Sequence, residues 1–470
     1  MSAHPTPANP IEQVDNPFYQ GLMAPVTDER DERDLPVNGE LPAGLNGIFV
    51  RNGPNPQFAP LGKYHPFDGD GMVHALYIEN GKVRYRNRWI ESSGLLAERK
   101  RGHACYGSVS EFRLPDQDVM EEAGVMKNNA NTHTVRHAGH YFALMEAGKP
   151  TELTRELETL GEYDFGGKLQ GPMTAHPKID PRSGELVFIG YSPFPPYLQY
   201  HVADPSGALV HSIQVEIPNP VMMHDFVITE NYSLFLDAPG IFDVEAMMRG
   251  EPGIRWEPEK GTRIGVLPRK GQADEIRWFD VPTCYVVHFF NAWDTGRTIH
   301  VHGPAFSRMP GGLQFDNPHQ IEEPYPWQWT IDLDAGTVEA AQADDRSGEF
   351  PRVNDDRAGR RTRYLYNTRA RSWEFDFDFH GVIKYDLESG RSQEFIHGDT
   401  AVSGEHVFAP DPAGQAEDDG WLLTLVTDRT TEKSELVVLD ARDIEAGPVA
   451  RVSIPRRVPL GFHANWWPEA

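Results

Sequence analysis

The chain predicts an all-β fold of radial or barrel type, and three observations carry that reading. One phrase recurs, as "KIDPRSGELVFIG" (178–190), "YHVADPSGALVHS" (200–212), "TIDLDAGTVEAAQ" (330–342) and "KYDLESGRSQEF" (384–395), with a shorter form in "YIENGKVRYRNRW" (77–89). The 43 Gly and 39 Pro suit a chain of many turns and loops. Helical signals are short.

Each phrase is an apolar pair, an aspartate, a few turn residues and a glycine, followed by a new alternating run. The aspartate bonds the backbone ahead of it and glycine takes positive φ, so each phrase reads as a β-hairpin. Hairpins repeated without an intervening helical period point to sheets in radial array or to a barrel, although sandwiches contain the same phrase. "TDERDERDL" (27–35) reads as a solvated charged face. "GIFDVEAMMRG" (240–250) reads as a short amphipathic helix carrying Ile241, Phe242, Val244, Met247 and Met248, ended by Gly250. No composition break divides the 470 residues, so one domain over 1–470 is expected, with residues 1–14 as a flexible arm.

Composition narrows the function. A formal net charge of −26 argues against a nucleic-acid groove, and the basic clusters (Arg360, Arg361, Arg363; Arg456, Arg457) are short. Two cysteines, Cys105 and Cys284, are too few for a disulfide framework or a thiolate metal cage and fit a reducing compartment. The opening "MSAHPTPANPIEQVDNPFYQG" lacks a basic and an apolar segment of signal-peptide type, and no run approaches the ~18 apolar residues of a membrane span. A cytoplasmic location is expected, with peripheral membrane contact open and no obligate protein partner evident. No GxGxxG opens a helix after a strand and no GxxxxGK[ST] occurs, so no organic cofactor is expected. "GPNPQF" and "FDGDGM" read as structural turns.

Of the 19 histidines, four share one setting, within or at the end of a strand-like run beside small or apolar residues. They are His176 in "MTAHPKID", His224 in "VMMHDFVIT", His288 in "YVVHFFNAW" and His463 in "GFHANWW". A lone histidine so placed is more often a satisfied buried residue than a ligand, and no two show HxxxH or HxH spacing. They lie roughly 48, 64 and 175 residues apart. Inner strands of a radial fold converge on one axis, however, so four such histidines can meet at a central ion. His300 and His302 in "IHVHG" are the compact competitors and read as more exposed.

A series of motifs then runs in order: "GLNGIFVRNGPNPQF", "FDGDGMVHAL", "ANTHTVRHAG", "ALMEAG", "TAHPKIDPRSGEL", "MHDFVIT", "RIGVLPRKG", "VVHFFNAW" and "GEFPRVN". In these the chain resembles the carotenoid cleavage oxygenases from about residue 15 to its end. The resemblance implies a seven-bladed β-propeller capped by loops and short helices over a central non-haem Fe(II), one per chain. It places the ligands on His176, His224, His288 and His463. It also implies that Glu146 in "ALMEAG", Glu349 in "GEFPRVN" and Glu405 in "SGEHVF" accept hydrogen bonds from ligand imidazoles, and that Thr132 in "ANTHT" faces the open side of the iron. Four neutral imidazoles leave the ion its full charge, which favours Fe(II), although imidazole also suits zinc and copper. Carboxylates behind the rings fix their tautomer and orientation.

The implied reaction is oxidative cleavage of a C=C bond by O2 into two carbonyl products. One branch of the family takes carotenoids and apocarotenoids. Another takes stilbenes or phenylpropenes, and there a lysine before the first glutamate and a tyrosine in a Phe-Gly-x-Tyr stretch grip the phenol. Here Met145 takes the lysine place and "CYGSVSEF" puts Val109 at the tyrosine place, an apolar wall suited to a polyene. Phe58, Tyr106, Met145, Phe289, Trp293 and Trp466 are the candidate tunnel residues. "GIFDVEAMM" (240–248) and "YSPFPPYLQY" (191–200) are candidate membrane-facing segments. A non-catalytic binding propeller with core histidines is the alternative from another class.

Overall fold

The computed structural model describes residues 11, 14–310, 322–373 and 378–469, so the expected arm over 1–14 falls almost wholly outside the described residues. Seven antiparallel sheets form the blades of a β-propeller, numbered here 1–7 in chain order. Blade 1 holds Gly47–Pro54, Gly71–Glu79 and Lys82–Trp89, with Asp31–Glu32 on its outer edge. Blade 2 runs from His133–His137 through His140–Leu144 to Thr159–Glu162, and blade 3 from Lys178–Ile179 to Leu209–Val215. Blade 4 spans Phe226–Ile228 to Arg277–Val281, and blade 6 spans Gly348–Arg352 to Arg391–Ile396.

Two blades have divided inner strands. In blade 5, Tyr285–Val286 and Asn291–Asp294 both pair with Thr298–Phe306. In blade 7, Ala401–Ser403 and Val407–Pro410 both pair with Gly420–Asp428.

The ring closes twice. Ala464–Pro468 supplies the innermost strand of blade 1, pairing Ile48 with Trp467 and Arg51 with Ala464. Val37–Gly39 adds the outermost strand of blade 7, against Pro448–Ser453. Trp466 and Trp467 leave the closing strand on opposite faces, as alternation demands. Trp466 joins the core of Phe49, Leu76 and Leu423 between blades 1 and 7, and Trp467 joins Ile48, Val50 and Ala143 between blades 1 and 2. Burying two indoles is what fixes this tail.

The hairpin phrase does what its chemistry requires. Asp180, Asp204, Asp332 and Asp386 each accept two backbone N–H groups two to four residues ahead through Oδ1. Gly184, Gly207, Gly336 and Gly390 follow at φ between +66° and +88°. The shorter form is a two-residue turn, with Asn80 at φ 51° and Gly81 at φ 76° between paired Glu79 and Lys82.

The helices diverge from expectation. Ser93–Arg101, capped by Ser92 and ended by Gly102 at φ 77°, carries no clean apolar stripe because Glu98 lies on its buried face. Glu98 meets Lys127 at 2.6 Å, and Lys127 meets Asp70 at 2.5 Å, so a buried charge network replaces apolar packing. The segment 240–250 divides into a strand, Gly240–Phe242, paired with Ile254–Trp256, and one helical turn, Val244–Met248, capped by Asp243. Asp31 and Asp28 of the charged run at 27–35 pair with Arg84 and Arg456 at 2.6 and 2.7 Å.

Candidate metal centre

Inner strands begin or break at the axis, and the site residues sit at those points. His176 and His224 lie two residues before the inner strands of blades 3 and 4, and His463 lies directly before Ala464–Pro468. His288 and Glu405 occupy the gaps in the inner strands of blades 5 and 7. In blade 6 the register shifts between Glu349 and Arg352, and Phe350 takes a φ of 52°. The bulge turns Glu349 inward.

The four histidines are buried, with their ligand atoms all within 4.8 Å of one another. Three have a carboxylate at Nδ1. His288 Nδ1 is 2.6 Å from Glu349 Oε2, His463 Nδ1 is 3.4 Å from Glu405 Oε1, and His224 Nδ1 meets Glu146 Oε1. Glu146 also accepts from the Tyr191 hydroxyl, and Glu405 from the Ala464 N–H at 2.7 Å, with Arg352 at 3.7 Å. Among the described residues His176 has no carboxylate partner, and its buried Nε2 has no hydrogen-bond partner.

Burial drives His176 and His463 well below the ordinary imidazole range and holds His288 at about 3. Burial also acts to lower His224, but the Glu146 carboxylate outweighs it and raises that ring. Burial pushes Glu349 up to about 8, against the Phe350 N–H.

The donor set fits a metal on a direct test. His224 Nε2 and His288 Nε2 face each other at 3.0 Å. When both rings are neutral and each Nδ1–H is directed at a glutamate, the two Nε2 lone pairs aim at one point, as two ligands of a single ion do; with one ring protonated, the same contact is an N–H···N hydrogen bond. The four buried histidines can therefore hold a metal ion, through neutral nitrogens.

Comparison with known proteins places this geometry. The family model described as retinal pigment epithelial membrane protein matches residues 23–468. Carotenoid 9,10(9′,10′)-cleavage dioxygenase 1 of Phaseolus vulgaris is 36% identical over 485 residues, covering 95% of this chain and 88% of that protein. Isoeugenol monooxygenase of Pseudomonas nitroreducens is 34% identical over 481 residues, covering 97% and 98%. The crystal structure of Pseudomonas brassicacearum lignostilbene dioxygenase superposes with a TM-score of 0.89 at 32% identity, covering 99% of this chain and 100% of that one. The chain belongs to the carotenoid cleavage oxygenase family.

Around the centre of this oxygenase, the sequence candidates separate. Thr132 gives its carbonyl to the His463 N–H at 3.2 Å and its hydroxyl to Asn131 at 3.1 Å. Met145 lies beyond the end of the strand His140–Leu144, and its sulfur accepts the Asn129 N–H at 3.1 Å. Val109 is half-buried and donates its N–H to Asp68 at 2.8 Å. Phe289 follows His288 directly and is buried. Phe58 packs with Val26, Met72, Trp89 and Leu95, while the Tyr106 hydroxyl donates to Gly124 at 3.2 Å. Trp293 stacks on His302 at 4.9 Å and His300 at 5.4 Å within blade 5, and Trp466 fills the core between blades 1 and 7.

Two residues were not legible as neighbours of the centre. Phe350 stacks on His288 at 5.5 Å and stands edge-on to His463 at 5.1 Å. His133 is buried 5.2 Å from the His463 ring and 5.8 Å from the His176 ring, with its Nδ1 on the Ala175 carbonyl at 2.9 Å. In "ANTHT" nothing sets it apart from the chain's other strand histidines. His302, expected to be exposed, is buried at the blade 5 pairing with Asn291.

Proposed function

We propose that this oxygenase holds one Fe(II) on His176, His224, His288 and His463 and uses O2 to cleave a C=C bond of a carotenoid or apocarotenoid into two carbonyl products. The observation that carries the reading is the set of four buried imidazoles, three of them backed by glutamates. Bound there, iron supplies the redox chemistry with O2. Glu146, Glu349 and Glu405 hold the tautomers and orientations of His224, His288 and His463, so the Nε2 atoms of these three rings present lone pairs to the ion. Phe350, packed against the His288 and His463 rings, gives the neighbourhood an apolar wall that excludes water.

Met145 and Val109 favour a polyene over a phenol, because neither can pair with or ionise a hydroxyl. A stilbene or phenylpropene is the second reading, supported by the lignostilbene dioxygenase likeness over the full chain. Among the described residues no helix is long and apolar enough to cross a membrane. Phe194 and Met248, 60% and 61% exposed on the two candidate segments, support peripheral contact with a membrane that holds such substrates. Aerobic incubation of iron-loaded protein with apocarotenals, carotenoids, hydroxystilbenes and isoeugenol, with products read by mass, tests the reading. Cleavage of the phenols alone overturns the polyene assignment.

A further inference from the structure

Three of the four proposed ligands stand on loops from consecutive blades, and one buried carboxylate touches all three loops. Asp225 follows His224, Lys178 lies two residues after His176, and Phe289 follows His288. Asp225 Oδ1 meets Lys178 Nζ at 2.7 Å and accepts its neighbour's Phe226 N–H at 2.8 Å. Asp225 Oδ2 accepts the Phe289 N–H at 2.9 Å. The Asp225 side chain is 2% exposed and that of Lys178 22%. A second strut runs parallel to the first: Thr174 Oγ1 accepts the His176 N–H at 3.1 Å and donates to the His224 carbonyl at 3.2 Å.

We infer that the Asp225–Lys178 pair is a positioning clamp, which fixes the spacing of His176, His224 and His288 and so sets the affinity and geometry of the metal. This rests on the four-histidine centre proposed above. Its physical logic is that of a pair at a junction. Each partner is held by charge-assisted bonds, and removing either one leaves the other as an unpaired buried or half-buried charge between the ligand loops. Neither residue is hydrogen-bonded to a ligand ring, so the clamp holds the ligand loops through their backbone, while its charges also reach the rings through space. Isosteric loss of the Asp225 charge keeps the acceptor for Phe289 but turns an amide N–H2 toward the Lys178 ammonium. Loss of the Lys178 charge leaves the carboxylate bound only by amides.

The test uses Co(II) as the probe, on full-length metal-free protein, with three readouts: affinity by competition with a chelating dye, the visible absorption of the bound ion, and thermal unfolding. Asp225→Asn and Lys178→Met are each expected to weaken Co(II) binding by roughly 10-fold and to shift the visible bands, as outer partners of metal ligands do. Lys178→Arg should stay within about threefold of wild type, and the double variant Asp225→Asn/Lys178→Met should bind better than either single one. Should Asp225→Asn fail to fold, the Lys178 series decides alone, since that side chain is partly exposed. Unchanged affinity and bands in Lys178→Met, with or without a fall in unfolding temperature, overturn the clamp and leave a merely structural pair. Failure of wild-type protein to bind one Co(II) per chain overturns the centre itself, which is a different result.

Discussion

The two sides of the four-histidine centre are built in different ways. His176, His224 and His288 come from blades 3, 4 and 5, neighbours both in the chain and in space, and their loops are tied by side chains of the same three blades. His463 comes from the last strand and reaches the axis only when the ring is closed against Gly47–Pro54. Its loop is held from elsewhere, by the Thr132 carbonyl, by the Asn52 N–H on its own carbonyl at 2.9 Å and by Glu405 from blade 7. One side can be ordered by local folding; the other depends on joining the ends of the molecule, whose closure entropy must be offset by the packing of Trp466 and Trp467. The difference teaches that a bound ion would do two jobs: complete a preformed three-histidine cup, and latch the closing strand to it.

The largest expected effect would erase the distinction. Changing any one of His176, His224, His288 or His463 to Ala is expected to strip most of the metal and abolish cleavage, since neutral nitrogen ligands act together at one ion. Elemental analysis of the four purified variants checks this. Normal metal content in all four would remove the centre altogether, while retention in His463→Ala alone would show the three-blade cup to suffice.

Next come the glutamates, one behind each side. Glu349→Gln and Glu405→Gln should each lower metal affinity or turnover by about 10 to 100-fold. Exposed Glu339 is the proper control. Glu349 carries a further consequence in the metal-free protein. Its carboxyl is raised from 4.5 to about 8, so its burial costs stability progressively as pH rises through that window. His288, lowered from 6.5 to about 3, acts in the other direction: folded protein binds fewer protons than unfolded, and stability is lost as pH falls through that window. Metal-free Glu349→Gln should therefore be more stable than wild type at pH 8, on the order of 1 kcal/mol, while binding metal less well. Denaturant melts at pH 5 and 8, with and without Co(II), test the reversal. Equal stability of variant and wild type at both pH values would count against a buried, reluctant Glu349 carboxyl.

Much of this architecture was legible in the sequence, for local reasons. Asp and Gly at fixed offsets write hairpins of blades 3, 5 and 6, and Asn80 with Gly81 writes one in blade 1, because a turn needs only the residues within it. The four histidines were legible as similar, and as neighbours only on the premise of a radial fold. Their convergence is a property of the closed ring, and residues 288 and 463 meet only through it. The helix Ser93–Arg101 is not legible in the sequence because Glu98 and Lys127 replace its apolar stripe with a buried ion pair whose partner lies in another segment. Asp225 looked like one more acid in an acidic chain, since nothing in "MHDF" announces that Lys178 and Phe289 will close on it.

A smaller effect sharpens the comparison in time. If the ion latches the closing strand, amide exchange in Ala464–Pro468 should slow by about 10-fold or more when Co(II) is added well above its dissociation constant. Exchange in Phe226–Ile228, already tied within the cup, should change less. Hydrogen exchange read by mass on peptides covering the two strands distinguishes them. Equal slowing would mean that both sides order together, and the contrast drawn above would fall.

The smallest effect on the metal, expected to be none, is the one that speaks to substrate. Met145 stands beside Glu146 but past the end of its strand, so alternation of faces does not separate the two side chains as it would inside a strand. Glu146 is already engaged by His224 and Tyr191. An ammonium introduced at 145 would therefore have to compete for that carboxylate or remain half-buried without a partner, and it would lose the sulfur that accepts the Asn129 N–H. Met145→Lys should keep its metal and lower kcat/KM for a polyene by roughly 10-fold, the scale of a misfitted pocket group. Phenol cleavage should appear only when Val109→Tyr is added, because one cation alone does not orient a hydroxyl. Metal content by elemental analysis, beside turnover of an apocarotenal and a 4-hydroxystilbene by both variants and wild type, measures it. Wild-type protein that prefers the stilbene would show that Met145 and Val109 do not choose the substrate, and would move the choice to the other walls of the site.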